Sequence, residues 1–312
     1  MPQEMRFDLV ALGEPLIEFN QTRGPSNEFL QGFGGDTSNC VIAASRLGAR
    51  AAYVARIGDD TFGRMFIELW KNEGVDTRGI GIDGDAHTGV YFVTHGAHGH
   101  EFSYLRAGSA ASRMRPGDLP LDVIRSTKVL HVSGISEAIS ASACDSVLAA
   151  IEAARGAGAT ISFDSNLRRK LWPLPRARAM ITATMRMCDW FLPSLDEAEQ
   201  LSGKSGPDAV LDWCHAQGVP LVALKMGADG AWLSTAAARE QVPGYRVDAI
   251  DATGAGDCFD GAFIARMVAG DVPAAAVRYA NAAAALKTTS YGAVAPLPRD
   301  AAVREFISRA IQ

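Results

Sequence analysis

The segment DATGAGD, from Asp251 to Asp257, runs directly into CFDGAFIARMVAG, an apolar stretch of helical character reaching about Ala269. Glycines just ahead of a helix let backbone N–H groups converge on an anion, and the helix dipole favours negative charge there. Asp257 stands at the start of that helix, beside the anion pocket. A carboxylate next to a phosphate is electrostatically unfavourable unless it has a task. Accepting the proton of a hydroxyl that attacks a phosphoryl group is such a task. A simple helix cap would need neither the run of small residues nor the second acid, Asp251. The chemistry is therefore assigned to Asp257 as base, with Gly254, Ala255 and Gly256 as the anion cradle. A second small-residue turn, GFGGDTSN from Gly32 to Asn39, also precedes a helix. There Gly34 and Gly35 permit close approach of a ligand, and Asp36 and Asn39 supply polar groups, although a capped loop would also explain this turn alone.

Other motifs lack the parts their chemistry needs. Gly203-Lys204-Ser205 ends like a phosphate-binding P-loop, but the first glycine of that pattern falls at Ala198. Gly254-x-Gly256 begins like a dinucleotide fingerprint, yet Phe259 occupies the third glycine position and the motif lies far from the first βαβ unit. His95, His98 and His100 crowd one Gly-rich tip with no acid or thiol close in sequence, so a polar turn explains them better than a metal site.

The elements that position these residues follow from the hydropathy pattern. Phe7 to Leu12 reads as a buried strand closed by Gly13, and Thr37 to Leu47 as a helix stopped by Gly48. A strand over Ala51 to Gly58 and a helix from Asp60 or Thr61 repeat the rhythm. It returns in Lys128 to Gly134, a helix over Ala141 to Arg155, Thr160 to Asp164, Asp189 to Pro193, and Leu221 to Gly227. Strands separated by helices imply βαβ units and a mainly parallel sheet, the α/β class. Gly89 to Gly108 departs from this by alternating with period two around its Gly-rich tip, the mark of a β-hairpin. Tyr91, Phe92 and Phe102 on that hairpin predict an apolar face covered in a homodimer or larger assembly.

With 312 residues, 48% apolar and 21% charged, the chain can bury a sizeable core without staples. Thirty Lys and Arg against 35 Asp and Glu leave a net charge of -5, which argues against nucleic acid or an anionic membrane surface as partner. Five dispersed cysteines without C-x-x-C spacing read as reduced thiols. With no basic n-region and no long apolar run, a cytoplasmic location is expected, and the sequon Asn20-Gln21-Thr22 is taken as chance.

GGDTSN, continuing through the helix to Gly48 and IGDDTFG (Ile57 to Gly63), together with DATGAGDCFDGAF (Asp251 to Phe263), resembles the two signatures of the ribokinase-like, or PfkB-type, carbohydrate kinases. The resemblance spans the whole chain in order. It implies a single ribokinase-like three-layer αβα domain over residues 1–312, with a β lid from about 14–33 and 88–107. It implies ATP and magnesium, with Asp257 as catalytic base. Lys225, Gly227 and Gly230 of KMGADG, Asn281 and Asn166 are implied on the nucleotide side. Glu197, in Ser194-Leu195-Asp196-Glu197, is implied to hold magnesium through water. Ser194 departs from the family's Asn, and Ala252 from a frequent Thr. Tyr91, Tyr104, Arg106 and Arg168 look like the pattern with which 2-keto-3-deoxygluconate kinases hold a sugar acid. The chemistry agrees, because a carboxylate is best gripped by a planar, permanently charged fork. Arg168 contacting the nucleotide, and a kinase for neutral fructose or ribose, are the alternatives. A catalytically silent sugar-binding protein is the alternative from another class.

Overall fold

The computed structural model describes residues 5–22, 28–96 and 99–310. The chain opens with β1 (Phe7–Leu12), β2 (Leu16–Gln21), β3 (Phe29–Gly34), α1 (Asp36–Arg46), β4 (Ala51–Gly58), α2 (Thr61–Asn72) and β5 (Asp76–Asp83). The hairpin β6 (Gly89–Gly96) and β7 (Gly99–Leu105) follows, then α3 (Leu121–Arg125), β8 (Thr127–Ser133), α4 (Gly134–Ala138), α5 (Ala141–Gly156) and β9 (Thr160–Asp164). Next come α6 (Leu174–Met185), β10 (Trp190–Phe191), α7 (Leu195–Ser202), α8 (Pro207–Ala216) and β11 (Leu221–Lys225). The chain ends with β12 (Ala231–Thr235), β13 (Arg239–Val242), α9 (Ala255–Val268), α10 (Pro273–Lys287) and α11 (Asp300–Ala310).

The main sheet has the order β13-β12-β11-β10-β9-β8-β1-β4-β5 and is parallel from β11 to β5. At the β13 end, β12 runs antiparallel to both β11 and the edge strand β13, and neither β12 nor β13 was read from the sequence. Successive residues of β1 feed opposite faces: Leu9 and Ala11 join one core cluster, and Val10 and Leu12 the other. In β4, Tyr53 and Ala55 divide from Ala52 and Val54 in the same way. Burial on both faces explains why these strands are almost continuously apolar. Phe66, Trp70, Phe263, Val277 and Val303 bring α2, α9, α10 and α11 to the first face. Val147, Ile151, Ile181 and Leu211 bring α5, α6 and α8 to the second, completing three layers.

The hairpin does not stand alone. It extends a second sheet of order β3-β2-β6-β7, in which β2 pairs antiparallel with β3 and parallel with β6. Its strands are Leu16–Gln21, Phe29–Gly34, Gly89–Gly96 and Gly99–Leu105. Its register separates the expected apolar trio. Phe92 stacks on Phe19 at 5.3 Å and packs on the body's core, whereas Tyr91 and Phe102 lie on the opposite face in a cluster with Leu16 and Val93. His95 pairs with His100 in the register, and His98 lies outside the described residues, so the reading of the tip falls there too. All five cysteines are buried and free. Among the described residues no helix is long and apolar enough to cross a membrane.

Candidate active site

The carboxyl ends of β1, β9 and β11 meet the amino ends of α1 and α9, the place where open parallel sheets bind ligands. One glycine makes the meeting of the two helices close. A Cβ on Gly261 would lie 2.4 Å from the Cys40 carbonyl and 2.8 Å from the Ala43 methyl, so only glycine lets α9 rest on α1. One turn earlier on α9, Asp257 Oδ2 accepts a 2.8 Å hydrogen bond from Asn39 Nδ2 on α1. The two motifs, 218 residues apart, are thereby in contact.

Gly254 precedes α9 with φ 76°, a left-handed conformation suited to glycine. Ala255 N–H donates to the Ala252 carbonyl at 3.1 Å and Cys258 N–H to the Gly254 carbonyl at 2.9 Å. The expected cradle of Gly254, Ala255 and Gly256 is thus altered, because Ala255 N–H is already engaged. Gly256 and Asp257 N–H remain as first-turn donors with no helical acceptor. The Asp257 carboxyl is pushed up to about 7, first by burial and then by the neighbouring Asp36 charge, against the pull of Asn39 and Lys225. A base poised near neutrality suits proton abstraction from an alcohol.

Asp36 opens α1 and is buried. Its Oδ2 accepts a 2.9 Å hydrogen bond from Asn166 Nδ2, which faces this carboxylate rather than a phosphate position. Asp36 Oδ1 and Asn39 Oδ1 are buried acceptors without partners. Two orphaned acceptors beside a base fit the hydroxyls of a polyol. Gly34 and Gly35 close this wall: a Cβ on Gly34 would sit 2.7 Å from the Tyr91 hydroxyl, and Gly35 has φ 104° with the Glu14 carbonyl 2.4 Å from its Cβ position.

The lid side carries pairs that the sequence did not reveal. Tyr91 donates its hydroxyl to Glu18 and stacks on Tyr104, ring centroids 5.8 Å apart. Arg106 differs from the free fork expected of it. Its guanidinium donates to the fully buried Glu14, which also accepts from Ser109 at 2.6 Å. Burial pushes the Glu14 carboxyl up, and Arg106 pulls against it. Arg106 Nε is left as a buried donor without an acceptor. Arg168 is half exposed and donates to Glu197 at 3.0 Å.

On the other side, Glu197 also accepts from Ser165 at 2.9 Å, and its carboxyl is raised, foremost by burial. A largely buried carboxylate opening onto the site fits a magnesium ion held through water. Gly227 and Gly230 flank a short 3-10 turn after β11, with φ 60° and 93°. Asn281 Nδ2 donates to the Val242 and Pro243 carbonyls, so here it fixes the loop beside that turn. Lys225, expected on the nucleotide side, is paired with carboxylates. Its Nζ lies between Asp164 (3.1 Å) and Asp260 (3.0 Å). Asp164, Asp260, Glu14, Glu18 and Ser165 were missed by sequence reasoning. An acid ending an apolar strand, as in TISFD, was the one legible signal.

A family model described as "pfkB family carbohydrate kinase" matches residues 5–300. The chain is 37% identical to "Probable fructokinase-2" of Arabidopsis thaliana, over 96% of this chain and 95% of that protein. It is 33% identical to "2-dehydro-3-deoxygluconokinase" of Bacillus subtilis, over 97% of this chain and 96% of that one. Among solved structures it superposes with a TM-score of 0.89 on a putative ribokinase II of E. coli in complex with ATP and Mg2+, at 28% identity over 97% of this chain and 99% of that chain. The Asp257–Asn39 contact, the glycine turn ahead of α9 and the three-layer fold thus occur in a chain that belongs to the pfkB family of carbohydrate kinases.

Proposed function

We propose that this sugar kinase transfers the γ-phosphoryl group of ATP to the 6-hydroxyl of 2-keto-3-deoxygluconate, giving 2-keto-3-deoxy-6-phosphogluconate. The observation that carries the kinase chemistry is Asp257, raised to about 7, in contact with Asn39 beneath first-turn N–H donors. Asp36 and Asn39 accept substrate hydroxyls. Asp257 takes the proton of the attacking hydroxyl, and Gly256 and Asp257 N–H groups face the charge on the transferring group. Magnesium, held by Glu197 through water, supplies neutralisation of phosphate charge when bound. The turn carrying Gly227 and Gly230 and the loop held by Asn281 border the nucleotide.

For the acid end of the substrate, the orphaned Arg106 Nε donor and the half-exposed Arg168 supply cationic groups, with Tyr91 and Tyr104 alongside. A neutral ketohexose such as fructose is the second reading. It is favoured by the carboxylates already facing both guanidinia, Glu14 at Arg106 and Glu197 at Arg168. A coupled assay of ADP release over keto-deoxy acids, aldonic acids and neutral sugars decides between them. Turnover confined to neutral sugars overturns the acid assignment, and absence of sugar-dependent ADP release overturns the kinase. The exposed Leu30 and Tyr104 lie on the lid face of Val93 and Phe102, opposite Phe92, and a second copy of the chain is proposed to cover them.

A further inference from the structure

Lys225 has a place in the site that no step of the reaction uses. Its Nζ bonds Asp164 Oδ2 at 3.1 Å and both oxygens of Asp260 at 3.0 and 3.2 Å. All three side chains are buried, at 12%, 6% and 1% exposure for Lys225, Asp164 and Asp260. Each carboxylate is linked to the reacting groups, Asp164 by hydrogen bonds and Asp260 along the α9 backbone. Asp164 Oδ1 accepts the Asn166 N–H at 3.3 Å, and Asn166 Nδ2 reaches Asp36 Oδ2 at 2.9 Å. Asn166 is held at φ 31°, a left-handed conformation that this double tether accounts for. On the other side Asp260 lies one turn beyond Asp257 on the same face of α9, and Asp257 meets Asn39. Asp36 and Asn39 are themselves one turn apart on α1. The ammonium also lies beside the first turn of α9, 3.4 Å from where a Gly256 Cβ would be.

We propose that Lys225 is a positioning residue rather than a nucleotide ligand: it clamps β11 to Asp164, which is tied through Asn166 to Asp36, and to Asp260, one turn from Asp257 on α9, and so holds the base against Asn39. This rests on Asp257 being the base. Asp257 faces Asp36 and Cys40 of α1, Tyr91 of β6, Asp164 of β9, Arg168 after β9, Lys225 of β11 and Lys287 of α10, with Cys258 and Asp260 on its own helix. Among these, removing the Lys225 charge leaves the carboxylates of Asp36, Asp164 and Asp257 with less compensation, so the ionised base is disfavoured.

The test is steady-state kinetics on Lys225→Met and Lys225→Arg from about pH 5.5 to 9, with ATP and an accepted sugar. Lys225→Met is expected to move the acidic limb of kcat/KM upward by about one pH unit. It should lower kcat while changing the KM for ATP less than about threefold. Lys225→Arg keeps the charge and is expected to keep the limb in place despite a lower kcat. A limb that does not move in Lys225→Met overturns the proposal, as does a rise of tenfold or more in the KM for ATP, the mark of a nucleotide ligand. Should Lys225→Met fail to fold, Lys225→Gln removes the charge while keeping a side-chain donor for Asp164 or Asp260. The same shift is then expected, and an unmoved limb again overturns the proposal. Asp257→Asn separates the two readings. Retained turnover there removes the base itself, whereas lost turnover with an unmoved limb in Lys225→Met removes only the role of Lys225.

Discussion

In the proposed reaction Asp257 gathers the demands of proton abstraction into one side chain. Burial and the Asp36 charge raise its carboxyl to about 7, so the reactive, ionised form accumulates as pH rises through neutrality. kcat/KM is therefore expected to climb across an acidic limb near pH 7, read from a pH–rate profile, and a flat profile between about 5.5 and 8 would contradict this. Asp257→Asn is nearly isosteric and should fold normally while losing roughly 10²–10⁴-fold in kcat, as removal of a general base does. At this scale much of the site was legible in the sequence. The GAGD and GGDTSN turns declare themselves because small residues, an acid and a following helix occur together. The partners of Arg106, Lys225 and Tyr91 were not legible, because Glu14, Asp260 and Glu18 come from distant segments and only folding brings them near.

Elements differ in how plainly the chain announces them. Strands buried on both faces, such as β1, β4, β8 and β11, appear as apolar runs, and the helices between them follow from spacing. The strands β2 and β3 are partly exposed and β3 carries two glycines, so the lid's extent followed only from family resemblance and its register not at all. Phe92 shows the consequence, since one step along the strand turns it from the open face to the body. The contact between α4 and α6 offers a separate test. Glu137 of α4 accepts from Thr184 of α6, its Oε2 has no partner, and burial raises its carboxyl from 4.5 to about 7. The folded state then binds more protons than the unfolded one between those values, so stability falls as pH rises through that window. Glu137→Gln is expected to make the decline of Tm between about pH 5 and 8 shallower and to raise Tm at pH 8 by a few degrees. An unchanged slope would show that Glu137 does not titrate in the fold.

At the scale of the whole molecule, two sheets divide the labour in the proposed reaction: the nine-stranded sheet aligns the amino ends of α1 and α9, and the four-stranded sheet is the proposed roof over them. Leu16, Tyr91 and Val93 form a cluster of their own on the roof with Phe102 packed against it, and Leu30 stands beside it 69% exposed. A dimer built on this face should appear by light scattering at micromolar concentration, and Leu30→Asp should shift it toward monomer. A monomeric wild type would contradict the assembly without touching the chemistry. The central claim is phosphoryl transfer from ATP to a sugar hydroxyl deprotonated by Asp257. Its most direct test is the coupled measurement of ADP release, with wild type and Asp257→Asn compared on 2-keto-3-deoxygluconate and on fructose. The expected result is sugar-dependent ADP release by wild type, greater on the acid, and a fall of roughly 10²–10⁴-fold in the variant with ATP binding retained. Wild-type protein that releases no ADP with any sugar, or a folded Asp257→Asn that turns over normally, would contradict it.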